Sequence, residues 1–305
     1  MRPHIEPIHI DDLVFHPAEL PGGSGNAFQQ NLSYDEETGA ASTRVTFPSG
    51  WERPMGWHDA DTEWYILAGD VQLGTHRLSA ADYFRAPSGL CVPPIRVSPG
   101  TEILLFREWA GCSFTESAND RHGFIPRGIS STSKERGVLT ITRGSEARWA
   151  LNMFDGNEEQ KNLELLVLYE DFGDDPESPS GGWFTNLVRV PPHKIGTVIE
   201  HHQISEEAYC LVGRMTYNYG DFRPGSYFWR PPNLRHAYLR DTGGIGYVFL
   251  MRISGHLKNW HSEEVKVSTS GTALNYDPQN PAQAPVIAGL PVRSRSTGIW
   301  DGTGR

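Results

Sequence analysis

Two stretches of this chain repeat one another at a spacing of 144 positions without a gap, and no other feature limits its possible folds as much. His58 falls on His202, Glu63 on Glu207, Tyr65 on Tyr209, Leu67 on Leu211 and Gly69 on Gly213. Farther along, Tyr83 and Phe84 fall on Tyr227 and Phe228, Pro87 on Pro231, Arg96 on Arg240 and Gly100 on Gly244. The match runs from about Thr43 to Trp109 in one half and from Leu187 to Ile253 in the other. Chance supplies one or two matches at a single offset, not a string of them. Two homologous domains are expected, and 305 residues is about the length that two domains need. The expected division is a first domain over 1–133, a second over 134–265 and an extended arm over 266–305, with Ala110 to Ser133 as the connection. Val286, Ile287, Leu290 and Trp300 interrupt the polar arm, so it either docks on a surface or frays.

Each repeat is written in short segments, such as Ala41 to Phe47, Glu63 to Leu67, Ile103 to Arg107, Glu207 to Val212 and Gly246 to Ile253. They are rich in β-branched and aromatic residues, while 32 Gly and 22 Pro are spread between them and helical periodicity is scarce. That pattern predicts an all-β sandwich or barrel. Apolar residues at 38%, with 9 Trp, suffice for two cores. No apolar run approaches the roughly 20 residues of a membrane helix, and the N-terminus has no secretory h-region. A formal charge of −10 with no Lys/Arg cluster argues against a nucleic-acid partner. Cys91, Cys112 and Cys210 are scattered, odd in number and without a CxxC, as expected of reduced thiols in a cytoplasmic protein.

The second half carries a group of residues suited to chemistry: Glu200-His201-His202, then Glu206, then His236 thirty residues on. Side chains two apart on a strand share a face, so Glu200 and His202 point together and His201 points away. Glu206 can swing back after a turn, and a second segment can deliver His236. His202, Glu206 and His236 then form two imidazoles and one carboxylate, a set suited to Fe(II) and able to hold Mn, Ni or Zn. Glu200 is a fourth ligand, a nearby acid/base, or one half of a salt bridge. The competing reading of the three is a hydrogen-bonded core triad. His193, His201, His256 and His261 read as surface or interface residues, and Cys210 as a small core residue. Among Tyr217, Tyr219, Tyr227, Phe228, Trp229 and Tyr238 most are core, and some wall a pocket.

Glu200, His202, Glu206 and Gly213, followed by Gly225, Pro231 and His236, resemble the two motifs of the cupin superfamily, in a bicupin arrangement. Glu200 stands where the family has its first ligand His, Asn233 where it usually has Gly, and Arg240 where it often has Asn. The phrase from Glu206 to Gly213 is also similar to the cupin of zinc-binding anti-sigma factors. The resemblance implies two tandem jelly-roll (double-stranded β-helix) barrels with one divalent ion in the second. In the first half His58 remains, but Gly56, Thr62 and Val92 replace the other ligands. Asp59, Asp61, Glu63 and His76 could in principle rebuild a site; the simpler expectation is a metal-free barrel that braces its twin.

The expected function is a metal-dependent cupin enzyme, a non-haem-iron-type dioxygenase on a small enolisable or hydroxyaromatic compound, with Glu200 or Glu206 handling a proton. Isomerisation or decarboxylation with Mn or Zn is an alternative. So is a metal- or small-molecule-binding sensor without turnover, and a storage bicupin fits less well. Open edge strands make a homodimer the default assembly.

Overall fold

Burial alternates residue by residue along the short strands Trp51–Arg53 and Ile95–Val97, each buried, exposed, buried, as a sheet with one face on a core requires. The computed structural model describes residues 2–18, 20–108, 113–119, 138–151, 163–171, 183–196, 198–237, 240–255, 260–264 and 292–293. Among them the regular structure is β-strand, apart from one 3-10 turn at Ile10–Asp12, and the fold is all-β as expected. No helix among the described residues is long and apolar enough to cross a membrane. Most of the 110–133 connection, nearly all of the 266–305 arm, and Cys112, Tyr238 and His256 lie outside the described residues.

Contacts divide the chain into two units, one built on Leu13–Ala147 and the other on Arg148–Trp300. In the first, one sheet runs in the order Thr140–Thr142, Tyr83–Ala86, Asp61–Ala68, Thr101–Glu108, Ala41–Phe47, Phe28–Tyr34, His16–Pro17. In the second, the order is Ala150–Leu151, Glu164–Glu170, Phe184–Val190, Tyr247–Ile253, Glu206–Gly213, Ser226–Arg230, His4–His9, Val292–Arg293. The four strands at the centre of each sheet correspond at the 144-residue spacing and pair in the same order. The strand flanking those four does not. In the second unit it is His4–His9, with Ile5 opposite Trp229 and Ile8 opposite Tyr227. In the first it is Thr140–Thr142, with Ile141 opposite Phe84. Read from the sequence, residues 1–133 form one domain; in the structure Pro3–Asp12 group with the second unit, and Thr140–Thr142 with the first. The physical reason is that the repeat by itself leaves Tyr83–Ala86 and Ser226–Arg230 with an unpaired edge, which any strand within reach can satisfy.

Side-chain volume is exchanged between the two interiors. In the first unit Trp64 sits opposite Phe84, and these rings with Phe47 and Trp51 fill the core at centroid separations of 5.1–6.3 Å. The second unit has Ala208 opposite Phe228 in the same register. The volume that Trp64 takes in one barrel is thus free in the other, where Arg230 replaces Ala86.

Gly213 ends its strand at φ +77°, and a Cβ there would lie 2.0 Å from the Gly246 carbonyl oxygen. Gly100, at φ +78°, has nothing within 4 Å of such a Cβ. Gly100→Ala should therefore cost only the left-handed strain of about 1–2 kcal/mol, and Gly213→Ala at least about 3 kcal/mol, read as the difference in urea midpoints. Equal losses at the two sites would show that backbone conformation, not close approach, decides both.

Candidate metal centre

Strand pairing delivers the site. Glu200, on the strand Val198–His201, is the direct cross-strand partner of His236 on the short strand His236–Ala237. Directly opposed residues on one face bring their Cβ atoms to about 4.5–5.5 Å. His202 shares the Glu200 face two residues on. The turn before His236 is fixed by the Asn233 amide, which donates to the His202 carbonyl oxygen at 2.6 Å. Asn233 has φ +64°, which explains why a glycine position tolerates it: Asn enters the left-handed region more readily than other non-glycine residues. Ligand atoms of Glu200, His202 and His236 all lie within 4.8 Å of one another, and the two imidazole centroids are 4.9 Å apart.

The tautomer of His236 is determined by its neighbour. Its Nδ1 is 3.2 Å from the Leu234 carbonyl oxygen, which can only accept, so Nδ1 carries the proton. In the neutral ring Nε2 then presents a lone pair to Glu200 Oε1 at 3.3 Å. Two acceptors facing each other at that distance need a proton or a cation between them. A carbonyl on the far nitrogen is also the usual way a protein orients a ligating histidine. His202 is buried, its Nδ1 has no hydrogen-bond partner, and burial, reinforced by His236, pushes its pKa down to about 4. It is therefore a neutral imidazole near neutral pH. One carboxylate with two imidazoles suits a divalent transition ion.

Glu206 stands beside this trio rather than within it. Its Oε2 is 3.8 Å from His202 Nε2, but it accepts a hydrogen bond from Arg230 Nη1 at 3.2 Å. Arg230 also donates to Glu6 from Nε, and Glu6 in turn accepts from the Tyr217 hydroxyl. Burial pushes the Glu6 carboxyl up, but Arg230 and His4 outweigh it and leave the group below its usual range. Burial and Glu6 together raise the Tyr217 phenol well above its usual range. The salt bridge considered for Glu200 is thus made by Glu206. Glu6, Arg230 and His4 were missed from sequence; the one signal was alternation, since His4, Glu6 and Ile8, like Ser226, Phe228 and Arg230, are spaced to face one way.

The family model described as "Domain of unknown function (DUF4437)" matches residues 6–260. The chain belongs to the DUF4437 family. No curated protein matches it. Among solved structures, a "putative dioxygenase" from Nostoc punctiforme is 17% identical with a TM-score of 0.66, covering 85% of this chain and 87% of that one. Protein YlbA from E. coli, of the DUF861 family model, is 15% identical with a TM-score of 0.53, covering 81% and 89%. A mutant of the Bacillus subtilis oxalate decarboxylase OxdC is 15% identical with a TM-score of 0.49, covering 84% and 79%. The first two likenesses show the fold, which is that of the cupins.

In the first unit of this DUF4437 chain the corresponding positions are filled differently. Gly56 pairs with Val92 where Glu200 pairs with His236. The Gly89 amide donates to the His58 carbonyl, as Asn233 does to that of His202. A Cβ at Gly56 would lie 2.3 Å from the Thr115 carbonyl oxygen and 2.4 Å from the Phe114 ring, so the position has no room for a carboxylate. His58 Nδ1 donates to the Ser113 carbonyl at 2.9 Å, and its Nε2 accepts from the Arg53 guanidinium. A guanidinium thus meets the His58 lone pair that an ion could otherwise take. Three of the four residues considered as substitute ligands have other partners: Asp61 pairs with Arg85 at 2.5 Å, Asp59 accepts from the Ser113 hydroxyl, and Glu63 accepts from Tyr83 at 2.8 Å; His76, the fourth, is not part of a candidate metal group. Among the described residues the only candidate metal group is the one in the second unit.

Burial, then Arg53, lowers the His58 pKa to about 4, with Arg107 adding to that and Ser113 and Asp59 opposing. The unfolded chain binds this proton near pH 6.5 and the folded chain only near 4. Stability is therefore full above pH 6.5 and falls as pH drops through that window, by about 3 kcal/mol from this residue. His58→Gln, which keeps an acceptor for Arg53 and a donor for Ser113, should flatten that part of the pH profile in chemical denaturation. An unchanged slope would place the proton elsewhere.

Of the remaining residues, Cys91 and Cys210 are buried, and burial pushes the Cys210 thiol up to about 12, which makes it inert. Tyr217 and Phe228 belong to the core of the second unit, while Tyr219 donates to the Arg235 carbonyl at 3.1 Å, one residue before His236. His193 is exposed and His201 half-buried. His261 occupies the register position opposite Glu200 on its other side.

Proposed function

We propose that this chain is a metal-dependent cupin enzyme that binds one divalent ion, Fe(II) first among the candidates, through Glu200, His202 and His236, and acts as a dioxygenase on a small enolisable or hydroxyaromatic compound. The observation that carries the reading is the convergence of the Glu200, His202 and His236 ligand atoms within 4.8 Å of one another, with His236 Nε2 3.3 Å from Glu200 Oε1 and its other ring nitrogen already committed to Leu234. The dioxygenase description of the Nostoc relative makes oxygen chemistry the first to test. When bound, the ion supplies Lewis acidity and, as iron, redox chemistry toward oxygen.

The chain's own residues do the rest. Leu234 and Asn233 hold the His236 ring and its turn in place. Burial of His202 keeps its imidazole neutral and available. With Glu200 engaged as a ligand, Glu206 is the second carboxylate beside the trio and, paired with Arg230, the one assigned to handle a substrate proton.

The test is metal content together with oxygen uptake. Close to one ion per chain, lost in His236→Ala, and oxygen consumption with a β-diketone, a catechol or a hydroxyaromatic ketone would support the proposal. One ion without turnover on any of them would favour a binding module. A chain that takes up no ion would sink both.

A further inference from the structure

Glu206 occupies the place where the cupin motif supplies a carboxylate ligand, yet it is not one of the three residues that converge. The cause lies in the first strand of the chain. Arg230, with 4% of its side chain exposed, stacks over Phe228 with its guanidinium carbon 3.8 Å from the ring centroid. Its Nε is bonded to Glu6, its Nη2 is 3.4 Å from Glu6 Oε2, and its Nη1 is 3.2 Å from Glu206 Oε2. A planar fork pinned at three points leaves little freedom for the carboxylates it holds. Glu6 is itself fully buried and fixed by the Tyr217 hydroxyl. At the 144-residue spacing, the carboxylate and the guanidinium are lost together in the first unit, where Thr62 and Ala86 stand in their places.

We propose that Glu6, acting through Arg230, holds Glu206 outside the ligand set, so that the N-terminal strand fixes the number of protein ligands at three instead of four. Glu6 and Arg230 are positioning residues in this scheme. The inference rests on the metal reading above and adds to it the residues that would set how many protein ligands an ion has.

Co(II) serves as the probe, bound to the full-length chain and followed by visible absorption and by competition titration. The variant to compare is the pair Glu6→Gln with Arg230→Met, which removes one charge of each sign and so leaves the net charge of the cluster unchanged. Freed from Arg230, Glu206 should join the ion: Co(II) affinity rises about tenfold and the absorption bands shift. Adding Glu206→Gln to that pair should restore the original affinity and spectrum, a rescue that a purely structural role for Arg230 would not produce. In the otherwise unaltered chain, Glu206→Gln alone should change affinity by less than about threefold.

Two results would overturn the inference while leaving the metal site standing. One is a tenfold or larger loss from Glu206→Gln alone, which would make Glu206 a ligand already. The other is an unchanged spectrum and affinity in the folded paired variant. Should the paired variant not fold, Glu206→Gln alone decides the matter on the same threshold. No Co(II) binding by the unaltered chain would instead remove the metal reading, and this inference with it.

Discussion

Glu200→Ala and His236→Ala should each lower the affinity for a divalent ion by at least about 100-fold, since each removes one of the three proposed ligands and an outer partner alone is worth 10–100-fold. His201→Ala, one residue along the strand and so on the other face, changes it by less than about twofold. The site should fail without the fold failing. Glu200 has 15% of its side chain exposed and sits on a three-stranded sheet separate from the large one, so its loss should leave the urea midpoint nearly unchanged. Equilibrium dialysis followed by metal analysis checks the first statement, and unfolding curves the second. Retention of one ion per chain by Glu200→Ala would transfer the carboxylate role to Glu206 and restore the set of His202, Glu206 and His236. The comparison of Glu200 with Glu206 is therefore the decisive measurement, more so than the loss from His236.

How far the site could be read from sequence depends on the range of the forces involved. His202 and His236 were legible because a strand period of two and the spacing of the second motif place them locally, whereas the left-handed backbone at Asn233 came only with the structure. The inner strand order was legible because the 144-residue spacing forces corresponding segments into corresponding places. Choosing between Glu200 and Glu206 was not legible. The spacing from His202 favours Glu206, whereas the outcome turns on cross-strand register, which sets Glu200 opposite His236. It turns also on a guanidinium whose anchor, Glu6, lies 224 residues away from Arg230. The same limit hid the assignment of His4–His9 to the second unit. Its burial is continuous, so its sequence shows a strand in need of two covered faces and says nothing of which barrel provides them. In the first unit, the loss of ligands at Gly56, Thr62 and Val92 was visible, but not that Arg53 and Phe114 close over His58.

The largest stability loss from a single polar substitution in the second unit should come from Glu207→Ala, at about 3–5 kcal/mol. Arg252 is fully buried, bonded to Glu207 Oε1 and stacked on Trp183 at 4.5 Å, and Glu207 Oε2 accepts the Tyr227 hydroxyl at 2.6 Å. Removing Glu207 takes away the carboxylate to which a fully buried guanidinium is bonded. Tyr227→Phe removes only one hydrogen bond to a charged acceptor and should cost about 1.5–3 kcal/mol. Replacing both partners, Glu207→Gln with Arg252→Met, takes out charge of both signs and should cost less than Glu207→Ala, because paired replacement of a buried ion pair is often close to neutral. The first unit shows why charge is the relevant quantity: Glu63 and Tyr83 repeat the Glu207–Tyr227 bond at 2.8 Å, but the position matching Arg252 is Glu108. Hydrogen exchange of the amides in Glu206–Gly213 reads the second unit by itself. Equal losses from Glu207→Ala and from the paired replacement would mean that packing volume, and not the lost ion pair, governs this part of the barrel.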